Sequence, residues 1–121
     1  MKNHLALLLA IGLATVSSAH AAEVDVTNVK VRKTAENTYR FDVTLKHADT
    51  GWENYANKWE VVAPDGTVLG TRVLAHPHVD EQPFTRSLGG VKIPNGISQV
   101  TVRGGDSVHE LGGVEMVVDL N

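Results

Sequence analysis

Apolar and polar positions alternate along most of this chain. Tyr39, Phe41, Val43 and Leu45 are separated by Arg40, Asp42 and Thr44, with Lys46 after them. This is the period-two pattern of a strand with one buried face. Val24 and Val26 alternate, the phase slips at Thr27-Asn28, and Val29 and Val31 resume it. The slip predicts a bulge or a change of sheet within a first strand. Trp59 and Val61 mark a third strand over residues 57–63, and residues 67–74 a fourth. A fifth covers 84–93 with a break at Gly89-Gly90. Val100 and Val102 define a sixth, and Val114, Met116, Val118 and Leu120 a last one.

Turn chemistry separates these segments. Pro64-Asp65-Gly66 and Pro94-Asn95-Gly96 combine a preset φ, a side-chain acceptor and a residue tolerant of positive φ. Beyond the first twenty residues nothing has helical spacing, though residues 52–57 have room for one short turn. About seven short strands with turns between them predict a single immunoglobulin- or fibronectin III-like β-sandwich. Trp59 fits the tryptophan that such sandwiches bury in the third strand. A small β-barrel is the structural alternative.

The first segment reads as an export signal. Lys2 precedes an uncharged apolar run over residues 5–16, and Ala19-His20-Ala21 supplies small residues at the positions a signal peptidase reads. The run is too short for a permanent membrane anchor. Cleavage after Ala21 leaves a mature domain of residues 22–121, expected in a bacterial periplasm.

Composition narrows the classes. The chain has no cysteine, so neither disulfides nor thiolate chemistry contribute. Loss of Lys2 with the leader takes the formal charge from −3 to −4. That acidic balance argues against nucleic acid, whose binding rests on phosphate neutralisation. No second long apolar stretch or basic amphipathic segment follows the leader. The mature protein is therefore expected off the membrane.

Antiparallel strands in sequence order send their connections alternately to two ends. One end receives the tight turns at 34–37, 64–66 and 94–96. The other receives the long connections at 47–55, 75–83 and 104–113. All four histidines of the mature chain, His47, His76, His78 and His109, fall at that second end. Long loops on a rigid sandwich are where binding residues concentrate.

His76-Pro77-His78 offers two imidazoles on one side of an extended segment stiffened by its proline. With His47 or His109 and a carboxylate from Asp80 or Glu81, this becomes an N/O ligand set suited to Zn(II) or Cu(II). The competing reading makes these groups structural. His47 continues the inward parity of the second strand, which suits a rim histidine hydrogen-bonded in place. Arg86 shares parity with Phe84 and Leu88, and a buried guanidinium would claim Asp80, Glu81 or Asp106.

Asp49-Thr50-Gly51-Trp52 reads as a turn, with Asp49 accepting a backbone hydrogen bond and Gly51 at positive φ. Trp52 and Tyr55 are expected to plug the open end of the core or, alternatively, to anchor a protein partner. Asp106-Ser107-Val108-His109 has the residue types of a hydrolase triad, which is defined by geometry rather than proximity in sequence. No nucleophile elbow and no phosphate-cradling loop is present, and the expectation is a protein without enzymatic activity.

The segments His47-Ala48-Asp49-Thr50-Gly51-Trp52 and His76-Pro77-His78-Val79-Asp80-Glu81-Gln82-Pro83-Phe84-Thr85-Arg86-Ser87 together resemble a group of small, exported, uncharacterised proteobacterial proteins. The resemblance implies an exported domain and no particular activity. The expected function is non-enzymatic binding by the loop-rich end, of Zn(II) or Cu(II) or, alternatively, of a protein.

Overall fold

The computed structural model describes residues 23–121, so the expected leader lies outside the described residues. Eight strands follow in order: β1 (Asp25–Ala35), β2 (Thr38–Lys46), β3 (Ala56–Val62), β4 (Val68–Val73), β5 (Phe84–Lys92), β6 (Gln99–Asp106), β7 (Glu110–Leu111) and β8 (Met116–Asp119). They form two antiparallel sheets, β1-β2-β5 and β4-β3-β6-β7, with β8 also on β6. The fold is a β-sandwich, as the alternation predicts. The fourth strand pairs with the third, not with the fifth as in constant-type immunoglobulin domains.

Inward residues of both sheets meet in one core. Phe41, Val43 and Leu45 of β2 face Trp59 and Val61 of β3 and Val100 and Val102 of β6, all buried. The phase slip at Thr27-Asn28 is a register shift between Val26 and Asn28. It lets Val26 donate its N–H to Val114 O at 2.9 Å, so the start of β1 pairs with β2 and also lies against the approach to β8. Gly89-Gly90 is a second bulge, absorbed opposite Arg40, with Gly90 at φ 66°.

Gly104 sits opposite Trp59 on the core side of β6. A Cβ there would collide with Val24 and meet Leu45, so the position is a close approach of strands. This corrects one boundary from the sequence. Residues 104–106 belong to β6 and 110–111 to β7, which shortens the expected 104–113 loop to its tip. Between the sheets, Arg72 of β4 donates from Nε to Ser87 O of β5 at 2.9 Å.

The two ends differ as the turn signals imply. Tight turns close β1–β2, β3–β4 and β5–β6 at one end. The connections after β2, β4 and β6 gather at the other, and β1 starts there too, since Asp25 pairs with Lys46.

Candidate functional site

His47 is the first residue past β2 and keeps that strand's inward phase, so its ring enters the rim of the core with a side chain 1 % exposed. Nδ1 lies 2.6 Å from Oδ1 of Asp49 and Nε2 lies 2.9 Å from Oδ2 of Asp106. Both carboxylates are buried.

Each carboxylate also gathers backbone N–H groups. Asp49 accepts from Ala56 N at 3.1 Å through Oδ1 and from His78 N at 2.7 Å through Oδ2. Asp106 Oδ1 accepts from Val108 N at 2.9 Å and from His109 N. Its Oδ2 takes a further bond from His109 Nδ1 at 2.9 Å. Burial alone would raise the Asp106 pKa. The His109 backbone and ring donors and the Val108 N–H outweigh it and hold the carboxyl below the usual range. One histidine and two carboxylates thereby tie the three long connections together.

The 74–83 connection is fixed a second time. Gln82 accepts the His47 N–H at 3.0 Å through Oε1 and donates from Nε2 to His78 O at 3.0 Å. His78 is buried, stacked on Phe84 with ring centroids 4.0 Å apart and planes 11° from parallel. Arg86 Nη2 donates to His78 Nε2 at 2.9 Å, and Glu81 lies 3.5 Å from the same guanidinium. Burial lowers the His78 pKa, and the Arg86 and His76 charges lower it further. His78 Nδ1 is buried without a partner.

The six expected metal-site residues are therefore in the same region without converging. His76 and His78 do share a side, their rings 4.8 Å apart. His76 is exposed, with Nδ1 3.1 Å from Pro77 O. Both His47 nitrogens face carboxylates, His109 Nδ1 faces Asp106, and Glu81 faces Arg86. Asp80 is exposed. Among the described residues no group of three or more His, Asp or Glu side chains is arranged to hold a metal ion. Arg86 takes Glu81 and His78 as partners and stays partly exposed at the rim.

Trp52 does not plug the core. It is 66 % exposed, at the tip of a loop closed by Thr50 N to Asn54 O at 2.9 Å, with Gly51 at φ 142°. Tyr55 meets its edge, with centroids 5.5 Å apart, and is half-buried. Tyr55 also anchors the loop, since its N–H donates to Ser107 Oγ at 3.1 Å and its carbonyl accepts from Ser107 N at 3.0 Å. Val79 and Val108 are exposed at the tips of the other two connections. The plug is supplied by His47, Asp49, His78 and Asp106 instead, which leaves Trp52 outside.

No protein-family model matches the chain. No solved structure matches it. It is similar to a protein of Halomicrobium mukohataei named "Putative lipoprotein", with 41 % identity over 97 residues. The match covers 80 % of this chain and 47 % of that protein, so the chain spans about half the length of this curated relative.

Proposed function

We propose that the chain is an exported, non-catalytic binding domain of the cell envelope that engages a protein partner through its loop-rich end. The observation that carries this reading is Trp52, 66 % exposed on a loop whose base is pinned by the buried His47 network. An exposed tryptophan on a rigid base contributes large contact area with little ordering cost, which is why interfaces favour it. Export is supported by the leader pattern of residues 1–21 and by the name of the haloarchaeal relative.

The test is capture of a partner from envelope extracts by the mature chain, beside the Trp52→Ala variant and with a chelator present. Specific capture that the variant loses and the chelator leaves intact is the expected result. Capture indifferent to Trp52, or none at all, would contradict the reading.

Binding of Zn(II) or Cu(II) is the second reading, favoured by the 4.8 Å spacing of the His76 and His78 rings. Calorimetric titration of the mature protein and of the His76→Ala/His78→Ala variant tests it. One-to-one binding lost in the variant supports the site, and binding no tighter than that of ordinary surface histidines removes it.

A further inference from the structure

Charge is segregated on this molecule. The connections over residues 47–55, 74–83 and 107–113 contain no lysine or arginine. Each presents an exposed carboxylate: Glu53, Asp80 and Glu110. None of the three forms an ion pair among the described residues. The cations that flank this end each lie near carboxylates. Arg86 faces Glu81 and Lys58 lies 3.4 Å from Glu60, while Lys46, exposed at the end of β2, shares the lining of a cavity of about 360 Å³ with the carboxylates Glu23 and Asp25. Exposed cations gather elsewhere, at Lys30, Arg32 and Lys33 along β1.

The exposed large apolar groups on these three connections are Trp52, Val79 and Val108. An indole face attracts ammonium and guanidinium groups through its quadrupole. Unpaired carboxylates on all three surrounding connections favour the same charge and repel acidic partners. Both terms select one kind of ligand. We propose that the loop-rich end binds a lysine- or arginine-rich segment of its protein partner, one cation lying over Trp52 and others pairing with Glu53, Asp80 and Glu110. This rests on the reading of that end as a protein-binding face and names the chemistry of what it takes.

The experiment titrates the mature chain with three ten-residue peptides, alternating glycine with lysine, glutamate or serine, and follows tryptophan fluorescence. Trp59 is fully buried, so a change on binding reports Trp52. The lysine peptide is expected to bind saturably and to weaken as salt rises, and the other two are not. Trp52→Ala, read by calorimetry, is expected to lower affinity roughly tenfold. The Glu53→Gln/Asp80→Asn/Glu110→Gln variant should lose at least as much. A variant with the same charge change at the opposite end, Glu36→Gln/Asp65→Asn/Asp119→Asn, should bind as the wild type does, which separates a site from general attraction to an acidic protein.

Equal weakening by the two triple variants, or no saturable binding of the lysine peptide, would overturn the proposal. So would self-association abolished by substitutions at Lys30, Arg32 and Lys33, which would make a second copy the occupant. A partner captured from envelope extracts in a Trp52-dependent way but through a neutral or acidic segment would overturn this inference and leave the binding-face reading standing. Capture indifferent to Trp52, or no capture at all, would remove both.

Discussion

Nε2 of His47 lies 2.9 Å from Oδ2 of Asp106, and the two residues extend from different sheets. His47 directly follows β2 and Asp106 ends β6, so this contact clamps the sandwich at its loop-rich rim. Asp49 closes the other side of the ring at 2.6 Å and carries the clamp on to the backbone of His78. All three side chains are buried.

Removing the ring leaves two buried carboxyl groups without the side chain that both face. His47→Ala is expected to cost about 2–4 kcal/mol, since each buried polar group left without a partner costs about 1–3 kcal/mol. Denaturant unfolding of the two proteins measures this. A cost under about 1 kcal/mol, the scale of an exposed pair, would show that the clamp contributes little.

Acid should loosen the domain in two stages. His78 has its pKa lowered by burial. Below about 6.5, the ordinary histidine value, the unfolded chain therefore takes up a proton that the folded one refuses. Unfolding then consumes protons, and stability falls as the pH drops from there toward the folded-state pKa. Asp106 is also held low, by the donors from His109 and Val108 against the effect of burial. Its contribution is complete above the ordinary carboxylate value of about 3.9 and is lost as the pH falls through its folded-state pKa. Thermal melts across the acid range check this, and His78→Gln should remove the first stage alone.

The alternation along β2, β3 and β8 made the sandwich legible, because a one-residue slip would turn those faces outward. The two ends were legible from turn chemistry, and the inward phase of His47 from simple parity with Leu45. What the sequence hid was partnership. Asp49, Gln82 and Asp106 are polar loop residues like their neighbours, and nothing in their spacing marks them as partners of His47 from three connections. Trp52 failed for the same reason. An aromatic at a loop tip reads as a plug until the rim is seen to be filled by a polar network. Gly104-Gly105 read as loop because glycine lacks a strand signature, while Gly104 is set by the closeness of Val24 and Gly105 by that of the Glu110 backbone.

That closeness gives a prediction for the core. Gly104→Ala would drive its methyl into Val24 and against Leu45. The cost is expected at about 1–3 kcal/mol, the scale of overpacking, read as a lowered unfolding midpoint. Coupling to a Val24→Ala change that relieves the collision would identify the mechanism.

Trp52→Ala should leave stability within about 0.5 kcal/mol of the wild type, as exposed substitutions do. The indole packs on Tyr55 alone among the aromatic pairs found and lies outside the core. A large loss of stability in a thermal melt would mean that the residue is structural after all.

The most direct test of the clamp, which makes three separate connections one face, is hydrogen exchange in the wild type and in His47→Gln, with Asp49→Asn as a milder second variant. The amides of Ala56, His78, Val108 and His109 all donate to Asp49 or Asp106. They are expected to lose protection together, while Gly66 and Ile93 in the turns at the opposite end keep theirs. Loss confined to one connection, or no change at these four amides, would contradict the account.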